Sequence, residues 1–111
     1  MKRVVRVLAS VLALSMVAAV AVVAFRAAHY ARAFDSASKG ESFAVVVARF
    51  GQPRVIESPG KPFLRYATGA CKSPCARRLW WEHPVLRGIE AWSVEFDDTN
   101  RLVNKAHWVS P

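Results

Sequence analysis

Residues 7–25 read VLASVLALSMVAAVAVVAF, and this uncharged run separates an apolar N-terminal segment from a more polar remainder. At about 1.5 Å per helical residue, these 19 residues extend roughly 28 Å, close to the ~30 Å hydrocarbon core of a bilayer. A helix buried in a small globular core is rarely apolar on every face. The run therefore predicts a transmembrane helix within residues 1–33, followed by one small domain at residues 34–111.

Charge is unevenly distributed between these two parts. Residues 1–33 contain five Lys and Arg and no acidic residue, whereas residues 34–111 contain 11 basic and 8 acidic residues. The net charge of +8 therefore reflects mainly the flanks of the apolar run, and the domain itself carries only +3. So weak a basic excess is not typical of nucleic-acid-binding domains, and no nucleic-acid partner is expected.

The basic start, residues 1–6, is typical both of a cleaved signal peptide and of a retained signal anchor. Apolar regions of signal peptides usually have about 7 to 15 residues, so the longer run here favours retention. Small-residue sites at residues 19–21 (AVA) and 31–33 (ARA) leave cleavage and release into the periplasm as the alternative. More basic groups precede the run than follow it, which predicts a single pass of the bacterial inner membrane with the C-terminal domain in the periplasm.

The segment after the run, residues 26–38, is rich in alanine with basic and aromatic interruptions, and it is expected to prolong the helix until Lys39 and Gly40. Tyr30 and Phe34 are four residues apart and therefore share one helical face. That face indicates either an interfacial anchor of aromatic and Arg side chains or a plain helical linker, and both interpretations stay open at this point.

Residues 40–53, GESFAVVVARFGQP, are typical of one short amphipathic helix. Ser42 is a preferred N-cap residue, Gly51 occupies the position of a left-handed C-cap, and Pro53 prevents continuation. The apolar residues follow i, i+3, i+4, i+7 spacing, which predicts one buried face. That face comprises Phe43, Val46, Val47 and Phe50.

Two pairs of short β-forming runs predict two hairpins. Residues 55–57 and 63–67 flank the turn sequence SPGKP, and residues 91–97 and 101–109 flank the turn sequence DTN. The first run of the second pair alternates, which predicts Trp92, Val94 and Phe96 on a core face and Ser93 and Glu95 on a solvent face. The expected fold class is α+β: an N-terminal transmembrane helix, then a short helix packed on an antiparallel sheet of about four strands.

The short helix and its flanks follow the pattern G-x-S-x-x-x-V-x-x-x-F-G-x-P, formed by Gly40, Ser42, Val46, Phe50, Gly51 and Pro53. This pattern, together with residues 92–103 (WSVEFDDTNRLV), resembles the SmpA/OmlA (BamE-like) family. The resemblance implies a fold like that of β-lactamase inhibitor proteins, with short helices on one face of an antiparallel sheet. It also implies a role in outer-membrane assembly, with Val46 and Phe50 facing the sheet.

Cys71 and Cys75 are the two cysteines of the chain, in the sequence CKSPC. An even count, a periplasmic compartment and a domain near the lower size limit for an unaided core favour a disulfide. A metal site with His83 as a third ligand and a thiol redox pair are the alternatives, but the spacing is not the usual redox spacing and there is no second Cys pair. No metal ion or other cofactor is therefore expected.

Two arginines and two tryptophans lie close together in the sequence RRLWW. Adjacent Trp residues beside Arg are typical of a binding hot spot or of a contact with anionic lipid. If the segment is instead a strand, successive side chains point to opposite faces, so one Trp is expected in the core and the other half-exposed. The predicted partner-binding residues are Arg77, Arg78, Trp80 and Trp81.

The sequence contains no nucleophile–base signature and no glycine-rich phosphate loop, and so small a domain has little room for a substrate cleft, so an enzyme is not expected. The expected function is that of a membrane-anchored periplasmic interaction module in envelope (outer-membrane) assembly or maintenance. The expected partners are envelope or membrane proteins, with anionic lipid as a further candidate. The alternatives are a periplasmic inhibitor or ligand-binding domain, and a thiol-redox or metal protein centred on Cys71 and Cys75.

Overall fold

The computed structural model describes residues 1–110, which form two helices and one four-stranded antiparallel sheet. The elements are α1 (Lys2–Ser36), α2 (Phe43–Phe50), β1 (Val55–Glu57), β2 (Arg77–Glu82), β3 (Glu90–Phe96) and β4 (Leu102–Val109). The strands adjoin one another in the order β1-β2-β3-β4. The predicted α+β class and the sheet of about four antiparallel strands are therefore confirmed.

Helix α1 is 35 residues long and continues well beyond the apolar run. Its most apolar 18-residue window has a mean hydropathy of 2.7, and none of that window is buried inside the protein. The helix is thus long and apolar enough to cross a membrane, a property that anchors and signal sequences share. It ends at Ser36, shortly before the expected break at Lys39 and Gly40.

The last turns of α1 belong to the core of the domain. Ala33 is buried, the Tyr30 ring lies 5.6 Å from the ring of Trp92, and the Phe34 ring lies 6.2 Å from that of His107. Tyr30 and Phe34 therefore pack on the sheet, which fits neither an interfacial anchor nor a plain linker. The expected division between residues 33 and 34 falls inside α1, so the apolar run and the domain share one unbroken helix.

Helix α2 forms as its sequence predicts. The Ser42 hydroxyl accepts a hydrogen bond from the backbone N–H of Val45 at 3.3 Å, which caps the N-terminus. Gly51 ends the helix at φ +97°, a backbone conformation that favours glycine. Val46 and Phe50 are buried. The Phe43 ring packs edge-on against the ring of Phe96, with 5.1 Å between the ring centres. The predicted apolar face is confirmed.

The two predicted hairpins have different outcomes. Strands β3 and β4 pair with Trp92 opposite His107 and Ser93 opposite Ala106, which confirms the second hairpin. The prediction of the first hairpin is wrong, because β1 pairs with β2 and not with residues 63–67. In that pairing Val55 lies opposite Trp80. Residues 63–67 form turns rather than a strand, and their side chains cover the sheet beneath them.

The sheet consequently has two covered faces. The helix face carries Leu79, Trp81, Trp92, Val94 and Phe96, which pack against α1 and α2. The loop face carries Trp80, Ala91 and Ser93, and residues 63–67 pack on it. The prediction that Ser93 lies on a solvent face is wrong: it is 1% exposed, and its hydroxyl accepts a hydrogen bond from the Trp108 Nε1 at 2.8 Å.

Candidate functional site

Trp80 is fully buried on the loop face. Its ring stacks on that of Tyr66 at 5.5 Å, meets Phe63 edge-on at 5.4 Å and lies 5.6 Å from Trp108. The indole Nε1 donates a 2.7 Å hydrogen bond to Glu57. Trp80 is therefore a core residue and not part of a partner-binding surface.

Trp81 points to the opposite face and is only 1% exposed. Its ring stacks on Phe50 with 4.1 Å between ring centres, and its Nε1 donates to the Gly51 carbonyl at 3.1 Å. The two indoles point to opposite faces, as expected for successive residues of a strand. One of them was expected to be half-exposed, but both are buried. The reason is that both faces are covered, one by helices and the other by residues 63–67.

Arg78 is buried and forms a two-point ion pair with Glu57. Its Nε and Nη2 donate to the carboxylate at 2.8 and 2.9 Å, and Nη2 also donates to the Gly69 carbonyl at 2.8 Å. Burial raises the pKa of Glu57, but the hydrogen bonds from Arg78 and Trp80 outweigh burial and hold that pKa below its usual value. Arg78 thus ties β2 to β1 and to the segment that covers them.

Arg77 lies on the helix face, away from Arg78. Its guanidinium packs over the Phe43 ring at 4.4 Å and donates a hydrogen bond to the Asn100 side chain. The four predicted partner-binding residues are therefore not brought together. Arg77, Arg78, Trp80 and Trp81 do not form one surface, because alternation along β2 divides these residues between two covered faces.

Cys71 and Cys75 are buried, and their Sγ atoms lie at disulfide-bonding distance with the Cα atoms 5.7 Å apart. That Cα separation is ordinary for a disulfide. Glu95 is the acidic side chain that reaches the two sulfurs. His83 lies elsewhere, beside α1, so the structure does not support it as a third metal ligand.

A groove of about 490 Å³ opens on the loop face beside the cysteine pair. We call it the loop-face groove. Its lining combines two basic, one acidic and two aromatic side chains with other residues of the covering segment. The lining residues are 66–72, Arg78, Glu95 and Trp108.

The wall of this groove is fixed by a second buried carboxylate, Glu82. It accepts hydrogen bonds from the Tyr66 hydroxyl at 2.6 Å and from Arg65 at 2.8 Å, and Arg54 lies 3.8 Å away. Burial raises the pKa of Glu82, yet the hydrogen bonds from Tyr66 and Arg65 bring it below its usual value. Tyr66, whose pKa is raised by burial, also accepts a hydrogen bond from the Gly88 N–H at 2.7 Å.

Strand β4 forms one border of the sheet next to the groove. The backbone of its first residue, Leu102, forms two hydrogen bonds on the side away from β3. Its carbonyl accepts from the Gly40 N–H at 2.8 Å, and its N–H donates to the Glu41 carbonyl at 2.9 Å. Beyond Leu102, β4 has β3 as its only strand neighbour among residues 1–110. An extended partner segment can add to such an edge through backbone hydrogen bonds.

The polar residues near the groove are hydrogen-bonded within the domain. The Ser93 hydroxyl accepts from Trp108, and the Asp97 carboxylate accepts from the backbone N–H groups of Thr99 and Arg101. His107 lies 2.9 Å from Glu90.

No protein-family model, curated protein or solved structure matches this chain. The SmpA/OmlA resemblance therefore stays a prediction that rests on the motif residues themselves.

Sequence reasoning missed Glu57, Glu82, Tyr66 and Trp108 as residues that build the site. One signal could have found the two acids: each stands inside a short β-forming run. A carboxylate in such a run is either exposed on an edge or buried with a partner. Two arginines, Arg65 and Arg78, were available to pair with them.

Proposed function

We propose that this protein is a membrane-anchored periplasmic interaction module that acts in envelope assembly or maintenance. The observation that carries the proposal is that α1 has an exposed apolar part and a C-terminal part that is packed in the domain. None of its most apolar 18-residue window is buried inside the protein, whereas Ala33 near its C-terminal end is buried in the domain core. Such a helix holds the domain at a fixed position against the membrane surface.

The packing of α1 also supports retention over cleavage. Removal of residues 1–33 would take Tyr30 and Ala33 out of the core and uncover Trp92. Removal of residues 1–21 would leave residues 22–25, a short apolar stub, at the end of a helix in water. Retention avoids both costs, because lipid covers the apolar run.

The partner is proposed to bind at the loop-face groove and the adjacent edge of β4. The half-buried Trp108 and the exposed Lys72 supply an aromatic side chain and a cation to the groove. Aromatic residues are enriched at binding hot spots. The short motifs of the SmpA/OmlA resemblance support an assembly role. Expected partners are envelope or membrane proteins.

Site-specific photo-crosslinking tests this placement. A photo-crosslinking amino acid in place of Lys72, which lines the groove, or of Asn104, whose amide donates to Glu95 at 2.7 Å, should capture a discrete envelope protein in living cells. The matched control is the exposed Val45 of α2. Equal capture from Val45, or none from either Lys72 or Asn104 in folded protein, would contradict the proposed surface.

The second candidate function is a ligand-binding domain, favoured by the groove volume of about 490 Å³, which lies within the range of small-molecule sites. Here the crosslinker at Lys72 should capture no protein, and small molecules extracted with the purified protein should be detectable by mass spectrometry.

The thiol-redox alternative predicts two reactive thiols at Cys71 and Cys75 in the native protein. A disulfide predicts none before reduction.

A further inference from the structure

A second pocket, of about 340 Å³, lies between α1 and the end of β2 that faces the apolar run. Three arginines line it: Arg26 from α1, Arg54 from the residue before β1 and Arg87 from the β2–β3 connection. We call it the arginine pocket. Arg26 is the first charged residue after the apolar run, so the pocket lies at the level where α1 leaves the apolar segment.

The arginine pocket has an excess of positive charge. Among residues 1–110, neither Arg26 nor Arg87 forms an ion pair. Glu82 also lines the pocket, but its carboxylate is already bound by Arg65 at 2.8 Å, and Arg54 lies 3.8 Å from it. The pocket therefore favours an anion.

His83 also lines the arginine pocket. Its Nδ1 accepts from the backbone N–H groups of Val85 and Leu86 at 3.2 and 3.0 Å. An accepting Nδ1 places the ring proton on Nε2, which then donates. The same interaction fixes the loop that carries Val85 and Leu86.

An apolar groove of about 530 Å³ adjoins the arginine pocket, and His83 lines both. On one side it is formed by residues 19–24 of α1 and on the other by Val85 and Leu86. Ala19, Val23, Arg26 and Tyr30 follow one another at spacings of four, three and four residues, so both cavities lie along one face of α1.

The loop beside this groove exposes large apolar side chains. Val85 is 63% exposed, Leu86 43% and Ile89 47%. The loop lies beside a part of α1 that is apolar and is not buried inside the protein. Exposed apolar side chains next to an apolar helix are typical of a membrane-facing surface.

We propose that the arginine pocket and the apolar groove together bind one anionic phospholipid. The phosphate lies among Arg26, Arg54 and Arg87, and an acyl chain follows the groove between α1 and Val85–Leu86. A soluble anion accounts for the arginines but not for the apolar groove that continues from them. The inference rests on the proposed function, because it requires α1 to lie in a membrane.

Lipid retention by the purified full chain tests this site. The chain in detergent is mixed with equimolar phosphatidylcholine and phosphatidylglycerol, and bound lipid is counted by native mass spectrometry. Phosphatidylglycerol should be retained selectively, and Arg26→Gln/Arg87→Gln should weaken its binding roughly tenfold or more, because cations near a bilayer surface add to the attraction of anionic lipid. Neither arginine pairs with an acid among residues 1–110, so the variant should keep its fold.

The matched control is Lys39→Gln/Lys61→Gln, which removes the same charge from exposed positions outside the pocket. An equal loss in this control would show that net charge alone attracts the lipid and would overturn the site. Equal retention of both lipids would also overturn it. Full displacement of phosphatidylglycerol by inorganic phosphate would assign the pocket to small anions instead.

A further variant tests the groove separately from the arginines. Leu86→Asn should weaken long-chain phosphatidylglycerol more than a short-chain form, since only the long chain fills the groove. Equal effects on both would contradict acyl-chain binding. The lipid experiment uses a chain that carries α1, so its failure refutes the lipid site alone. A cleaved, soluble chain recovered from cells refutes the anchor instead.

Discussion

The two faces of the sheet are covered by different means. On the helix face, apolar side chains of α1 and α2 pack against apolar side chains of the strands, as in the stack of Phe50 on Trp81. On the loop face, an irregular segment covers Trp80, and two buried carboxylates, Glu57 and Glu82, hold the cover in place. The comparison indicates that the helix face supplies most of the stability and the loop face fixes the shape of the groove.

The two faces differ because apolar burial stabilises the helix face, whereas buried ion pairs hold the loop face. Apolar burial stabilises in rough proportion to its area, whatever the detailed geometry. A buried ion pair adds little net stability, because desolvation of the charges offsets their attraction, but its loss is costly when one partner stays behind. The loop face should therefore tolerate paired changes better than single ones.

The largest effect is expected on the helix face. Phe50→Ala and Trp81→Ala should each lower the free energy of unfolding by about 3 to 5 kcal/mol, because each leaves a cavity in a fully packed core. Urea melts measure the loss. Val45→Ala, on the exposed side of α2, serves as the control and should change stability by less than about 0.5 kcal/mol. A small loss for Phe50→Ala would mean that α2 does not hold this face together.

The loop face should respond as a coupled pair. Glu57→Ala alone should cost about 3 to 5 kcal/mol, because it leaves Arg78 buried without its carboxylate. Arg78→Met in the same chain should restore part of that loss, so the double variant should be more stable than the sum of single effects predicts. Strict additivity in the double-mutant cycle would show that the two side chains act independently.

The sequence predicted the helix face more accurately than the loop face. The helix periodicity of residues 43–50 and the alternation of residues 91–97 are local patterns, and the apolar core residues that each predicts lie in or against the core. The cover over Trp80 depends on contacts between residues distant in sequence, such as Tyr66 with Glu82. No local pattern records such a contact, so residues 63–67 were predicted as a strand and one Trp as half-exposed.

Acid should destabilise the loop face through its two buried carboxylates. The pKa of Glu57 and that of Glu82 lie below the usual 4.5 in the folded protein, because hydrogen bonds from Arg78, Trp80, Tyr66 and Arg65 outweigh the effect of burial. A lowered folded-state pKa gives stability that is present above the unfolded pKa and lost as the pH falls through the folded pKa. Stability should therefore decrease below about pH 4.5.

Urea melts across the acid range measure this loss. Glu57→Gln should flatten the dependence, since one of the two carboxylates no longer titrates. An acid profile of Glu57→Gln as steep as that of the parent protein would exclude Glu57 as a source of the pH dependence. The helix face lacks buried carboxylates among its core residues, so Phe50→Ala should shift the whole profile without changing its slope.

The smallest effect is expected at the end of α2. Gly51→Val places a β-branched residue at φ +97°, and should destabilise the protein by about 1 to 2 kcal/mol although its Cβ has open space around it. Gly60→Val is the matched control, because its Cβ is equally unobstructed and its φ lies outside the positive range. Equal melts for the two variants would contradict a backbone origin of the effect.

The mass of the protein extracted from membranes tests the anchor hypothesis most directly. Because the end of α1 packs into the domain core, we expect an intact chain that retains α1 and requires detergent for extraction. Mass spectrometry of the membrane and soluble fractions measures this in one experiment. A soluble mature chain that begins near residue 22 or residue 34 would contradict the proposed anchor and leave a free periplasmic domain.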